Sequence, residues 1–268
     1  MSFQPIVPLS GYGGWRFLER TLESQQKAFA ESQPVARATD YFREKIANVR
    51  TANDLVSDRR LLSVALGAFG LDDDINNTFF IRKILEDGTL SDDALANRLA
   101  DNRYAEFSRA FGFGDRPVAR TALSSFPSEI VARFEDQQFA RAVGTQDNNM
   151  RLALNIEKGI GDILGRNTTN TGQWFSIMGN APLRQVFQTA LGLPQSIVSV
   201  DLDRQREIFQ DRAQAVLGTD QVADLAEPAQ QEKLIRLFLI RAEAATIASN
   251  SGSATALTLL QSSPRLRA

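Results

Sequence analysis

The chain has 268 residues, of which 43% are hydrophobic and 23% are charged, and its formal net charge is −2. These values are ordinary for a globular protein that is long enough to bury one large core or two smaller ones. The charge gives no reason to expect nucleic acid as a partner, because phosphate binding requires a clustered excess of Lys and Arg. Cys and His are absent, which excludes disulfides, thiolate nucleophiles, Ser-His-Asp catalysis and the usual zinc sites.

The sequence contains no recognisable targeting or membrane segment. The first residues lack the basic region and the continuous apolar region of a secretory signal, and no window approaches the roughly twenty apolar residues of a membrane span. Residues 244–264 are uncharged, but they are rich in Ser, Asn, Thr and Gly. We therefore expect no membrane span, and either a cytoplasmic protein or one exported without a cleavable signal.

Residues 1–14 contain two prolines and three glycines, which predicts a flexible N-terminal arm or an irregular segment laid on the surface. Amphipathic spacing and capping residues predict the helices that follow: 15–31, 34–50, 58–70, 72–87, 91–99, 101–111, 127–142, 148–164, 180–192, 202–217, 228–249 and, more weakly, 251–261. Residues 144–149 are either a loop or a weak point in one long helix. Sustained period-two alternation is absent from the sequence, so we predict an all-α fold of about ten to twelve helices, without a sheet.

The most distinctive local pattern is a short helix at residues 58–71 that begins at an Asp cap and ends at Gly70. Gly can adopt the left-handed conformation that follows a helix end, and Leu71 can pack back onto the last turn, as in a Schellman motif. Related patterns occur at residues 101–113 and 180–193. We interpret this pattern as an architectural device without a chemical role.

The recurrence favours an internal duplication, although common features of helices account for some of the matches. Aligning residues 58–75 with 180–197, and allowing two inserted residues afterwards, gives matched pairs that include Leu61 with Leu183, Gly70 with Gly192, Leu71 with Leu193 and Ile84 with Ile208. We predict two related helical lobes, residues 15–117 and 118–249, between the arm and a C-terminal tail, residues 250–268. Residues 112–117 would form a hinge or the boundary between the lobes.

An acidic run offers the spacing of a calcium loop at Asp72, Asp74 and Asn76. The sixth position of such a loop should be Gly but is Asn77, and the twelfth should be Glu but is Lys83. We therefore interpret the run as the N-terminal cap of a helix, where carboxylates suit the free N–H groups.

Two further motifs also receive structural interpretations. Gly159, Gly161 and Gly165 do not match the spacing of a dinucleotide loop and follow a helix, so they favour close helix packing or a helix end at Gly165. Trp15, Phe17 and Phe29 could stack bases, but they fall at helical spacing with Leu18 and Leu22, which is typical of core side chains. Carboxylates are scattered, and we assign no catalytic, cofactor-binding or metal-binding residues.

Several segments of the chain together resemble an alphaproteobacterial family of domains of unknown function, which are often duplicated and occur in proteins described as flagellar. The resemblance spans roughly residues 35–240, and its segments are 58–62 (Asp-Arg-Arg-Leu-Leu), 68–71 (Ala-Phe-Gly-Leu), 84–87 (Ile-Leu-Glu-Asp), 99–104 (Leu-Ala-Asp-Asn-Arg-Tyr) and 110–113 (Ala-Phe-Gly-Phe). The second lobe has no counterpart of residues 101–104. The resemblance implies a helical, non-enzymatic protein connected with flagellar assembly or motility, and it brings no catalytic residues.

Two hypotheses about function follow. The first is a non-catalytic structural or interaction protein of the bacterial flagellar system, whose partners are other flagellar proteins, contacted through the arm and residues 244–261. It would be cytoplasmic or flagellum-associated. The alternative is a helical protein that binds a small ligand, or an enzyme without His or Cys, with a pocket between the lobes. A polar cleft lined by Arg and carboxylates would favour this alternative.

Overall fold

The computed structural model describes residues 3–165 and 169–262, and within these ranges the regular secondary structure is entirely helical. This confirms the all-α prediction. The α-helices in chain order are α1 (Gly11–Ala30), α2 (Gln33–Lys45), α3 (Ala52–Ser57), α4 (Arg59–Gly67), α5 (Thr78–Asp87), α6 (Leu95–Arg98), α7 (Arg103–Phe111), α8 (Phe126–Gly144), α9 (Asn148–Leu154), α10 (Ile156–Leu164), α11 (Asn170–Met178), α12 (Ala181–Leu191), α13 (Leu202–Leu217) and α14 (Pro228–Ser262). Short 3₁₀ helices lie at Ile46–Asn48, Asp72–Asn76, Arg120–Ala122, Gln195–Ser199 and Val222–Ala226.

Helix α8 lies at the centre of the N-terminal half and packs against α1, α2, α4 and α9. Phe139 of α8 meets Phe29 of α1 edge to face, with ring centroids 5.8 Å apart. On α4, a Cβ atom added to Gly67 would lie 2.8 Å from the ring of Phe134. The close approach of α4 to α8 therefore depends on a residue without a side chain.

Helix α12 has the equivalent central position in the C-terminal half, between α11, α13 and α14. Trp174 of α11 packs edge to face on Phe187 of α12, and its indole N–H donates to the carbonyl oxygen of Asp220. Buried apolar residues from Trp15 to Leu239 form one continuous cluster. The core thus runs through both predicted lobes, and the division into two lobes stays a prediction.

The first repeated element has the predicted capping geometry at both ends. The Asp58 carboxylate accepts hydrogen bonds from the backbone N–H groups of Arg60 and Leu61, at 2.9 and 3.1 Å. Gly70 has a φ of +66°, and the N–H of the buried Leu71 donates back to the carbonyl of Leu66. These contacts confirm the Asp cap and the Schellman-type end.

The element at α12 has the same local geometry. Asn180 caps α12 with φ/ψ of −103°/104°, against −103°/101° for Asp58. Gly192 has a φ of +68°, and the Leu193 N–H donates to the carbonyl of Gln188. A 3₁₀ helix and then a longer helix follow in both places. The shared order of elements is consistent with the predicted duplication, although Ile84 is fully buried and its predicted counterpart Ile208 is only partly so.

Several predicted boundaries were wrong. Helix α1 begins at Gly11, four residues earlier than predicted. Residues 148–164 form two helices that divide at Asn155, and Asp147 caps the first of them. At residues 144–149 the chain therefore leaves one helix and starts another.

The segment that precedes α1 lies against the body of the protein. The Gln25 side chain accepts a hydrogen bond from the Ile6 N–H and donates one to the Ile6 carbonyl, while Gln146 donates to the carbonyl of Pro5. Of the two predicted conformations for this segment, these contacts correspond to the one laid on the surface.

The predicted hinge at residues 112–117 is packed against the end of α5. A Cβ atom on Gly114 would lie 2.4 Å from the carbonyl oxygen of Glu86. Asp115 accepts hydrogen bonds from both the backbone N–H and the hydroxyl of Thr89.

Candidate functional site

A polar cleft of about 460 Å³ opens between the two halves of the chain. One wall is the turn after α4 with the following 3₁₀ helix and the start of α7, and the other is formed by α8, α9, α10 and the first turn of α12. Five cationic side chains line it, together with four carboxylates: Arg103, Arg133, Arg141, Arg151, Lys158, Asp72, Asp73, Glu106 and Asp162.

Four of these cations have a carboxylate partner at 2.7–3.0 Å: Arg103 with Asp101, Arg133 with Asp162, Arg141 with Asp72, and Lys158 with Asp136. These partly exposed pairs contribute only modestly to stability, but they fix the positions of the side chains in the cleft. Arg133 also lies over the ring of Phe69, with its guanidinium carbon 5.4 Å from the ring centroid.

All three guanidinium nitrogens of Arg103 donate hydrogen bonds. Nε and Nη2 donate to the carboxylate of Asp101, and Nη1 donates to the carbonyl oxygen of Gly70. Burial by itself lowers the pKa of Arg103, but the hydrogen bonds and the charge of Asp101 outweigh it, so the pKa is raised.

Arg151 has a different environment. Its Nε and Nη2 donate to the neutral side-chain oxygen of Asn148, at 2.9 and 2.8 Å, and it forms no ion pair within residues 3–165 and 169–262. Burial lowers the pKa of Arg151, and the neighbouring cations Arg103 and Arg141 lower it further. The pKa values of two partly buried arginines therefore shift in opposite directions, because only Arg103 has a carboxylate.

The rest of the lining is neutral. Phe69, Leu152 and Leu183 contribute apolar surface, and the Gln137 amide donates to the side-chain oxygen of Asn155. Such a lining is suited to binding by charge and shape, with an apolar floor beneath charged groups. A cleft lined by Arg and carboxylates is the feature that would favour the alternative hypothesis of a ligand-binding protein. Its residues come from six helices and the turn after α4, and the sequence did not single them out.

The acidic run lies beside this cleft, and its carboxylates have a different role from the predicted one. In the 3₁₀ helix Asp72–Asn76 no side chain caps the backbone. Asp72 instead accepts from Gln138 and pairs with Arg141, while Asp74 accepts from the hydroxyl of Tyr104. The helix-cap interpretation was wrong because tertiary donors from α7 and α8 reach these oxygens. No group of three or more Asp or Glu residues in the described chain is arranged to hold a metal ion.

The Gly motif and the aromatic stripe have the predicted structural roles. A Cβ atom on Gly159 would lie 2.9 Å from a methyl group of Leu183, so the glycine permits α10 to pack closely on α12. Helix α10 ends at Leu164, directly before Gly165. Trp15 and Phe29 are buried in the core as predicted, whereas Phe17 is only partly buried.

The second candidate surface is the C-terminal part of α14, which follows Arg241. Arg241 makes the last described hydrogen bond to the body, from Nη1 to the carbonyl of Ala190 at 2.5 Å. Residues 243–248 are all exposed, and the side chains of Ile240 and Ile247 are 49% and 63% exposed. In the part of the chain that the structure describes, none of the helices has the length and apolar character needed to cross a membrane.

The fold and site together define an all-α protein with a polar cleft between its two halves and one projecting helix. Residues 68–230, more than half of the chain, match the family DUF1217, described as a protein of unknown function, and the chain belongs to this family. The matched segment contains every residue that lines the cleft, whereas α1, α2 and most of α14 lie outside it.

The protein is also similar to a solved structure. The X-ray crystal structure of an Agrobacterium tumefaciens protein, a structural genomics target, superimposes with a TM-score of 0.73. The two sequences are 28% identical over 90% of this chain and 98% of the other. No curated protein matches the sequence.

Proposed function

We propose that the protein is a non-catalytic interaction protein of bacterial flagellar assembly or motility, which docks to a flagellar component through the C-terminal part of α14. The observation that carries this proposal is the exposure of residues 243–248 on every face of the helix. The flagellar association rests on the family resemblance in residues 58–113, which is an association without a mechanism.

The C-terminal part of α14 has a sequence that favours helix only weakly. Residues 244–262 contain no charged side chain, so no ion pairs stabilise it, and they include Gly and several Ser and Thr residues of low helix propensity. A helical segment of about 15 residues is marginal in water without a packing partner. Docking its Ala, Ile and Leu side chains into an apolar groove would supply the missing stabilisation.

Deletion of residues 250–268 tests this proposal in the native bacterium. A strain that lacks the gene would be complemented with the full-length protein or with the truncated protein, and scored for swimming and for filament assembly. We expect the truncated protein to fail in complementation while its thermal unfolding midpoint stays close to that of the full chain. Normal swimming and normal filaments in the uncomplemented strain would refute the flagellar role.

The same truncated protein separates docking from folding. If removal of residues 250–268 abolishes cooperative unfolding, the segment is part of the core and the docking proposal is wrong. The double substitution Ile240→Ser with Ile247→Ser keeps the full length and changes only exposed apolar side chains. It should also reduce complementation, whereas Arg98→Gln on exposed α6 should not.

A second candidate function is the binding of a small ligand in the cleft. The specific observation in its favour is the convergence of five cations and four carboxylates on one cavity of about 460 Å³. This function does not require the C-terminal part of α14. Ligand binding by the truncated protein would therefore separate the two functions.

A further inference from the structure

We infer that the cleft is a binding site for a small organic oxyanion, a carboxylate or a phosphate monoester on an apolar body, and that Arg151 is the residue that anchors the anionic group. The inference rests on the second candidate function and is independent of docking through α14.

The charge distribution of the cleft points to Arg151. Each of the other four cations lies against its own carboxylate, whereas Arg151 is held only by the neutral Asn148. A partly buried cation without a counter-charge is destabilised by its lost hydration. An anion that enters the cleft would replace that hydration with a charge-assisted hydrogen bond.

Arg151 is also positioned to bind without rearrangement. Its aliphatic stem packs on the end of α8, where a Cβ atom on Gly144 would lie 2.6 Å from Cδ. Asn148, one helical turn earlier, occupies Nε and Nη2, and no described residue accepts from Nη1. The guanidinium is therefore held by its neighbours while one nitrogen remains available to a ligand.

Three of the four carboxylates that line the cleft do not fill this role already. Asp72 pairs with Arg141 and Asp162 pairs with Arg133, so neither is directed to Arg151. Asp73 is fully exposed and lies 3.7 Å from Arg141. An incoming anion therefore meets Arg151 without displacing an existing ion pair.

The neutral residues that line the cleft indicate what kind of group the ligand carries beside its anionic group. Phe69, Leu152 and Leu183 present apolar surface to the same cavity. An aromatic or branched aliphatic body of a few carbon atoms can cover these side chains, and apolar contact adds affinity in proportion to the buried area. Phenyl phosphate and benzoate combine an oxyanion with such a body and are suitable probes.

Isothermal titration calorimetry of the full-length protein with each probe tests the inference. We expect one or both probes to bind, and Arg151→Gln to weaken binding roughly tenfold to a hundredfold, the range for loss of a hydrogen bond to a charged group. Arg98→Gln makes the same charge change on exposed α6 and should leave the affinity unchanged. Preference for benzoate or for phenyl phosphate identifies the anionic group.

Two results would overturn the inference: no binding of either probe at millimolar concentration, or equal affinity of the native protein and Arg151→Gln. If Arg151→Gln does not fold, Arg151→Lys keeps the charge and serves as the second variant, with an expected loss of affinity because the planar fork is gone. If Arg151→Lys folds and binds the probes as tightly as the native protein, the assignment of Arg151 is wrong. If inorganic phosphate binds to the native protein as tightly as phenyl phosphate does, the assignment of the apolar floor is wrong.

A failure of this ligand-binding inference can be distinguished from a failure of the docking proposal. The protein truncated after residue 249 should bind the probes as the full chain does, since none of the described residues beyond 185 lines the cleft. Binding that is lost in the truncated but folded protein would contradict the independence of the two sites.

Discussion

The guanidinium of Arg103 donates a hydrogen bond of 2.5 Å to the carbonyl oxygen of Gly70, 33 residues earlier in the chain. The carbonyl belongs to the left-handed glycine that ends the first repeated element, and the remaining nitrogens of Arg103 bind Asp101. Cations from later elements also bind carbonyls in the last turn of three other helices that end at a left-handed glycine, α7, α12 and α13: Arg120 at Ala110, Arg241 at Ala190, Arg212 at Leu191 and Lys233 at Leu217. A positive charge is favourable there because the last carbonyls of a helix lack partners and carry the negative end of its dipole.

Arg103→Met should destabilise the protein by about 1–3 kcal/mol, because Asp101 and the Gly70 carbonyl would both lose a charged donor. Urea denaturation followed by circular dichroism would measure the change. Arg98→Met, on exposed α6, is the matched control and should lie within about 0.5 kcal/mol of the native protein. Equal effects of the two substitutions would show that the contact with Gly70 contributes nothing.

Gly70→Val should cost roughly 1–2 kcal/mol or more, since a φ of +66° is strained for a β-branched residue. Gly70→Asn should cost less, because Asn tolerates the left-handed region. Thermal and urea unfolding of both variants would measure which substitution costs more stability. If Val and Asn were equally tolerated, backbone strain would not explain the glycine.

The three tyrosines should all titrate above the usual range, because each hydroxyl donates to a carboxylate: Tyr12 to Glu232, Tyr41 to Asp58 and Tyr104 to Asp74. Hydrogen bonds to these carboxylates, with burial, raise the pKa of Tyr12 and Tyr41, and burial followed by the bond to Asp74 raises the pKa of Tyr104 to about 12. Absorbance at alkaline pH would record the ionisation. A tyrosine that ionises at its ordinary pKa would contradict the corresponding pair.

The same shift predicts how stability depends on pH. The folded-state pKa of Tyr104 lies above the unfolded value of 10.0, so the protonated phenol favours the folded state. Its contribution is present in full below pH 10 and is lost as the pH rises towards 12. Between these values the free energy of unfolding should fall more steeply for the native protein than for Tyr104→Phe. If the free energy of unfolding depended on pH in the same way for both proteins, the ionisation of Tyr104 would not be linked to folding.

Two glycines in α10 should respond to alanine with opposite signs. At Gly159 the new Cβ would lie 2.9 Å from the buried Leu183, which should destabilise the protein by about 1 kcal/mol through overpacking. At Gly161 nothing lies within 4 Å of the added Cβ. Gly161→Ala should therefore stabilise by about 0.5–1 kcal/mol through helix propensity. Urea unfolding of the two variants gives the comparison directly.

Much of the fold was predictable because its helix boundaries are local. The bounds of α13 agree with the prediction at both ends, since Asp201 caps the helix and Gly218 adopts a φ of +93° after it. The start of α1 was missed because glycines at 11, 13 and 14 suggest irregular structure. Tertiary packing overrides that local preference, since Gly11 and Gly14 are buried.

For the cleft, the sequence predicted only the general type of site and not its individual residues. The sequence alternative includes a cleft lined by Arg and carboxylates, but nothing local marks Arg151 as different from Arg103. Each lies near an amide or carboxylate side chain in the sequence. Their pKa values shift in opposite directions because Asp101 is the charge partner of one, whereas the other faces two further cations.

The sequence by itself determined the all-α class, the Asp58 cap and the glycine ends, because caps and left-handed glycines act within a single turn of chain. Only the tertiary structure decided that Asp72 pairs with Arg141 and that Asp74 accepts a hydrogen bond from Tyr104, so that neither caps a helix. It also decided that Arg103 donates to the carbonyl oxygen of Gly70 in the turn after α4. Ion pairs and hydrogen bonds between distant residues depend on how the helices pack. That packing also leaves Arg151 as the cation of the cleft without a described carboxylate partner, which is the basis of the binding site inferred above.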